Sequence, residues 1–405
     1  MIDFSMGWAG PLCTRILADL GADVIKIEAI QYPHWWRGVD RRPAFIEDEM
    51  YERAPCLCIM NRNKRGITLD LTQPRGLALV KRLLTKADIV VDNYSVGVLP
   101  KLELGCDVLR SLNPRPVKLS MSAFGADSRY RDCRAYGSTL EQGSGLPTVV
   151  GKFGMPPVMS HVAFGDAIRG LNGCAAILIA LICARDAGQG QLIDLSQIEC
   201  ILPFAAPWLT IHSIDPMPPK RYGNRYPQFV PHGCFRCEGE DNWLTIAATD
   251  NEMWQRLAIL IGRRDWAMDL SLNSAEARRS IDDNIENAIV AWTRTRDADQ
   301  AMFELQSVRV ASGVARHPID LLHDPLLRSR GFLQQVERPL SSGAHLQPSM
   351  PDPRRGRTLC DSCGGADPEA AQCAILTGLL ELSHNDVAEL AGKGIIGTTM
   401  LCEGR

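Results

Sequence analysis

The chain has 405 residues, 45% of them hydrophobic, a length that predicts more than one core. With 44 Lys and Arg against 47 Asp and Glu the net charge is −3, which supplies no overall basic field for nucleic acid. The opening MIDFSMGWAGP lacks the basic and apolar regions of a secretory signal, and the apolar stretch 171–184 is shorter than a bilayer span, so no membrane contact is expected. Fourteen cysteines without such a signal predict free thiols and a cytoplasmic location.

In chain order, PLCTRILADLGA (11–22) reads as a helix, with Pro11 at its first position and Gly21 near its stop. DVIKIEA (23–29) reads as a buried strand, PRGLALVKRLLTKA (74–87) as a helix, and DIVVDN (88–93), PVKLSMSAF (116–124) and QLIDLS (191–196) as further buried strands. Such alternation predicts an α/β fold with a parallel sheet covered by helices on both faces. Residues 161–186, HVAFGDAIRGLNGCAAILIALICARD, read as one long helix. The Pro- and aromatic-rich 203–233 reads as linker and loop, 233–248 as a hairpin, and 250–262, 275–293 and 298–306 as helices. This divides the chain into a large α/β part (1–214), a smaller α+β domain (215–330) and a C-terminal segment (331–405), with helix expected again over 367–391.

Two CxxC pairs, Cys234/Cys237 and Cys360/Cys363, have the ligand types of a structural zinc site. Their separation is far longer than a zinc ribbon's, so ordinary thiols are expected and no metal is assigned.

Asp166 follows Gly165 at the mouth of the long helix. An N-cap carboxylate binding backbone N–H groups is one reading, with the helix dipole keeping it ionised. A carboxylate between small residues is equally a usable nucleophile. Position alone does not separate the two.

The blocks DFSMGWAGPLCTRILADLGADVIKIEA (3–29), NRNKRGITLDL (61–71), ADIVVDNYSVGVLPKL (87–102), NPRPVKLSMSAFG (113–125) and GQGQLIDLSQIE (188–199) resemble, in that order, the class III CoA-transferase family. That family includes formyl-CoA, carnitine and bile-acid CoA-transferases and the α-methylacyl-CoA racemases. The resemblance implies a Rossmann-like large domain built from both ends of the chain, a smaller α+β domain from its middle, and an interlocked homodimer or a heteromer with a paralogue. Gly165-Asp166 matches the family's nucleophile step. By resemblance, Asp166 attacks a donor thioester to give a mixed anhydride, the CoA thiolate returns to give an aspartyl-CoA thioester, and an acceptor carboxylate collects the CoA. Racemases of the family place a His thirty residues before the Asp, where this chain has Tyr136, a poor acid/base partner at neutral pH. His161 does not match that motif. The transferase reading is therefore preferred, with a racemase or a non-catalytic CoA-binding subunit as alternatives.

Coenzyme A, here a substrate rather than a resident cofactor, carries phosphates that call for cations or helix N-termini. Arg62, Lys64 and Arg65 cluster in MNRNKRG (60–66), Asn93 and Tyr94 stand at a strand's C-terminal end where doubly wound sheets bind ligands, and the resemblance assigns Leu69, Lys101 and Arg134, with Tyr136, to the same ligand. It places Met6, Gly7, Trp8 and Gly165 on the acyl side of the site. Trp35 and Trp36, beside Arg37, Arg41 and Arg42, suggest an aromatic or dicarboxylic acyl group. The expected partners are an acyl-CoA donor and a carboxylic acid acceptor.

Overall fold

The computed structural model describes residues 1–38, 40, 42–158, 164–216, 220–336, 345–351 and 368–401. Two compact units divide the chain: Met1–Gly145 with Ser160–Pro207 and Pro325–Arg405, and Leu146–Met159 with Trp208–Asp324.

In the larger unit six strands form an all-parallel sheet: β1 Ile2–Asp3, β2 Val24–Glu28, β3 Lys64–Thr68, β4 Ile89–Asp92, β5 Val117–Ser120 and β6 Leu192–Asp194. Their order, β3-β2-β1-β4-β5-β6, is that of a Rossmann sheet, with the direction of winding reversing between β1 and β4. Crevices at such a switch point, beyond the carboxyl ends of the strands, are where open α/β sheets bind ligands.

The pleat sorts each strand's side chains into two layers. Val90 of β4 joins Ile25, Ile27 and Ile67 in a core closed by helix Pro74–Thr85 and by Ile375, Leu376, Leu390 and Ile396 from the C-terminal segment. Its neighbours Ile89 and Val91 face the other way, onto helix Ala9–Asp19 and the 24-residue helix Phe164–Ala187. Helix Ala9–Asp19 starts two residues before the expected Pro11, which still lies in the first turn, where its missing N–H costs nothing. Gly170 and Gly173 let the long helix lie close: a Cβ on Gly170 would stand 2.9 Å from Ala9 O, and one on Gly173 3.2 Å from Leu119. Leu171, Leu178, Ile179 and Ile182 on the same helix are exposed. At 24 residues it is long and apolar enough to cross a membrane by length and composition, which corrects the span inferred from 171–184 alone.

The smaller unit holds a three-stranded antiparallel sheet, β7 His232–Arg236, β8 Trp243–Ala247 and β9 Ala311–Val314. Helices Asn251–Leu260, Asp282–Thr293 and Ala298–Ser307 pack on it around Trp254, Leu244, Ile246 and Ile289. Two expectations are corrected. The 275–293 stretch is broken after helix Ala275–Arg279, and part of the supposed linker is helix Leu202–Ile214. There Pro203 falls in the first turn and Pro207 forgoes one hydrogen bond, so the apolar residues between them can still wind.

Candidate active site

The C-terminal ends of β1 and β4 are tied by one side chain. Asn93 accepts from Met6 N at 2.7 Å and donates to Met6 O at 2.7 Å, fixing the loop that leads through Gly7 and Trp8 into helix Ala9–Asp19. Gly7 has φ +74°, and a Cβ there would stand 2.1 Å from the Trp35 ring, so the indole lies directly on the glycine backbone. Gly7 N donates to His34 Nε2 at 3.2 Å. Burial, reinforced by Lys26, pushes the His34 pKa down to about 3 and keeps the ring neutral. Trp35 stacks on Trp36 with centroids 5.5 Å apart, Trp36 meets Trp8 edge-on at 6.2 Å, and Tyr136 stands 5.8 Å from Trp35. Met6, Gly7, Trp8 and Tyr136 thus surround one aromatic wall.

Under this loop lies a buried charge cluster. Asp3 accepts from Ser5 N and Oγ and from Thr14 Oγ1, with Lys64 Nζ 3.1 Å and Lys26 Nζ 3.8 Å away. Burial alone would raise its pKa, but Lys26, Lys64 and the hydroxyls reverse that and leave it at about 2.

Tyr136 opens helix Gly137–Gly143 and leads to Asp166. A Cβ on Gly137 would stand 2.0 Å from Asp166 Oδ2, so only glycine leaves that oxygen its place. Asp166 is the third residue of helix Phe164–Ala187, not its cap, and its carboxylate binds a side chain instead of backbone N–H groups. Arg169, 0% exposed, donates from Nη1 to Asp166 Oδ1 at 3.1 Å, from Nε to Gln197 O at 3.1 Å and from Nη2 to Gly137 O at 3.4 Å. Gln197 in turn donates to Met121 O, which fixes the guanidinium beside the carboxyl ends of β5 and β6. Glu141, 7% exposed, accepts from Gly165 N at 2.7 Å. Burial raises the Asp166 pKa, Arg169 opposes the rise and Glu141 adds to it. The dipole argument for a simple ionised cap is thereby corrected: burial governs this group.

Sequence reasoning missed Glu141 and Arg169. The i, i+3 spacing of Asp166 and Arg169 on a helix was a usable signal, whereas Glu141 meets Gly165 only through the fold.

The candidate coenzyme contacts separate into two groups. Arg62 forms a two-pronged bond to Asp19 (3.0 and 2.7 Å) and also reaches Pro348 O. Lys64 bonds Asp3, Pro11 O and Asn61. Both cations are buried and paired, and Leu69 is a core residue at 0% exposure. Arg65 pairs with Asp23, and Arg37 sits between Glu28 and Glu52. Asn93 and Tyr94 follow β4 at the switch point, where burial and Asp92 raise the Tyr94 phenol pKa. Lys101 ends helix Val98–Lys101 and is exposed, as is Arg134, two residues before Tyr136. Arg42 pairs with Asp40, while Arg41, His161, Cys360 and Cys363 lie outside the described residues. Cys234 and Cys237 are free thiols, and no group of potential metal ligands occurs among the described residues.

Residues 1–357 match the model of CoA-transferase family III. The chain is 29% identical over 401 residues to the succinyl-CoA–D-citramalate CoA-transferase of Chloroflexus aurantiacus, covering 96% of this chain and 94% of that one. It is 28% identical over 402 residues to the alpha subunit of the succinyl-CoA–L-malate CoA-transferase of the same organism, covering 98% and 91%. Among solved structures, a CAIB/BAIF family protein from Brucella suis superposes with a TM-score of 0.74 at 28% identity, covering 86% of this chain and 93% of that one. Sheet order, switch-point loop and whole-length similarity agree, and the chain belongs to CoA-transferase family III.

Proposed function

We propose that this protein moves coenzyme A from an acyl-CoA donor to a carboxylic acid acceptor, with Asp166 as the nucleophile. The observation that carries the reading is the asymmetry of the Asp166 carboxylate. Oδ1 is held by Arg169, while Oδ2, lying over the bare α-carbon of Gly137, has no hydrogen-bond partner among the described residues. A half-buried carboxylate with one oxygen pinned and one free is set to attack a thioester carbonyl. The anhydride formed retains acyl activation, which the returning thiolate and then the acceptor acid use in turn. None of these exchanges requires a net proton transfer, so a carboxylate suffices where a racemase would need a second acid/base.

The acyl group faces Met6, Gly7 and Trp8 in this reading, and Asn93, Tyr94, Lys101, Arg134 and Tyr136 serve the coenzyme. Arg62, Lys64 and Leu69 act from beneath, by holding the loop and sheet. The exposed apolar face of helix Phe164–Ala187 favours a second copy of the chain as its cover. The free thiols of the described cysteines favour the cytoplasm.

The test is peptide mass spectrometry after incubation with a panel of acyl-CoA donors, succinyl-CoA first, with hydroxylamine trapping. A donor-dependent adduct at Asp166 is expected, absent in Asp166→Asn, whose exchange rate should fall at least about a thousandfold. Solvent deuterium entering the acyl α-carbon without CoA exchange would replace this reading with a racemase. CoA binding without either reaction would leave a binding subunit.

A further inference from the structure

Buried Arg169 and Glu141 meet half-buried Asp166 around Gly165, and the acyl exchange accounts so far for only the last of them. A Cβ on Gly165 would stand 2.8 Å from Arg169 Nη2 and 3.0 Å from the Glu141 Cγ methylene, so both side chains line the bare residue that precedes Asp166. Arg169 is fully enclosed, with Asp166 as its only carboxylate partner within ion-pair distance among the described residues. A buried cation that loses its counter-charge is strongly destabilised. Acylation removes that counter-charge, because neither an anhydride nor a thioester of Asp166 is charged.

We propose that Arg169 is a catalytic residue of the transfer, holding Asp166 Oδ1 first as a carboxylate oxygen and then as an oxyanion, while Glu141 supplies the lasting counter-charge for the guanidinium. This inference rests on the CoA-transfer reading above. In the first step Asp166 Oδ2 adds to the donor acyl carbon. The new C–O bond forms, the C–S bond breaks, and its electron pair leaves on sulfur as the CoA thiolate. In the second step the thiolate adds to Asp166 Cγ and the π pair of the carbonyl moves onto Oδ1. Collapse then breaks the Cγ–Oδ2 bond and expels the donor acid as its carboxylate, leaving the aspartyl-CoA thioester. Acceptor attack on the thioester repeats the same charge on the same oxygen and expels the CoA thiolate, which then adds to the acceptor acyl carbon of the second anhydride and releases Asp166 as its carboxylate. Oδ1 is therefore where negative charge develops whenever Cγ is attacked, and Arg169 Nη1 already stands 3.1 Å from it. Its other nitrogens are bound to Gln197 O and Gly137 O, so the donor is oriented before reaction. Glu141 is fixed by Gly165 N and takes no part in the bonds made and broken. In this scheme the Glu141 carboxyl, which is not acylated, remains beside Gly165 in every covalent state.

The experiment uses the full-length enzyme with succinyl-CoA as probe donor, following the Asp166 adducts by rapid quench and mass spectrometry. Arg169→Lys keeps the charge but not the fork. It should slow aspartyl-CoA thioester formation about 100-fold, with CoA affinity within about twofold of wild type. Glu141→Gln keeps an acceptor for Gly165 N. It should lower the trapped acyl-enzyme fraction about tenfold and move the acid limb of trapping to lower pH, since a negative charge beside Asp166 is removed. Unchanged adduct kinetics in both variants would overturn the inference, as would an equal slowing of every step with a matching loss of Tm. If Arg169→Lys does not fold, Glu141→Gln decides by its trapped fraction and acid limb. A wild-type enzyme that turns over without an Asp166 adduct would instead overturn the transferase reading itself.

Discussion

At the scale of single residues, two glycines and two aromatic rings shape the site as much as the carboxylate does. Gly137 is the sharper case, because Asp166 Oδ2 occupies the space a side chain would need. Gly137→Ala should displace that oxygen by a fraction of an ångström or more and lower kcat about 100-fold, with Tm changed by only a few degrees. Steady-state kinetics beside a melting curve check this, and a wild-type kcat would show the oxygen to be dispensable. Asp166 drew attention because a Gly-Asp step opened an apolar helix, and the family resemblance, not its position, made it the proposed nucleophile. Arg62 and Lys64 misled for a physical reason. A basic run looks solvated in one dimension, but strand pleating turns Lys64 onto Asp3, and Arg62 reaches Asp19 some forty residues earlier. The Trp35 contact with Gly7 had no local signature, since it joins two loops brought together by separate strands.

At the scale of elements, helix Phe164–Ala187 does two things with two faces. Gly170 and Gly173 seat it against helix Ala9–Asp19 and β5, while Ile179 and Ile182 remain 63% and 65% exposed. A second chain on that face predicts a sedimentation mass of about twice 44.6 kDa, reduced to one chain by Ile179→Glu with Ile182→Glu. A wild-type mass of one chain would remove the homodimer. The long helix and strands β2, β4 and β5 were readable from hydrophobic runs, whereas β6, expected as a buried strand over 191–196, spans only three residues with Leu192 and Asp194 exposed. The two-residue β1 was too short for any pattern, and helix Leu202–Ile214 was hidden by its prolines.

At the scale of the whole molecule, the sheet's stability is coupled to acid through Asp3. Its folded pKa, about 2, lies below the unfolded value of about 3.9, so its contribution is fully present above pH 4 and is lost as pH falls towards 2. Urea unfolding at pH 5 and pH 2.5 should show the wild type losing about 2 kcal/mol more than Asp3→Asn over that range. Equal losses would mean that the lysines do not hold the carboxylate.

The first and last described stretches of the chain share one core. Asp70 N donates to Ile395 O, Thr68 Oγ1 accepts from Gly397 N, and Ile375, Leu376, Leu390 and Ile396 pack against β2 and β3. During synthesis the sheet's first five strands therefore emerge with that apolar face covered only in part, by helix Pro74–Thr85. They wait for some 250 further residues, on the order of tens of seconds at ordinary elongation rates, before its cover is completed. For that interval the nascent chain presents the surface that chaperones recognise, and anything that stalls translation late in the message leaves a nearly finished protein at its most adhesive.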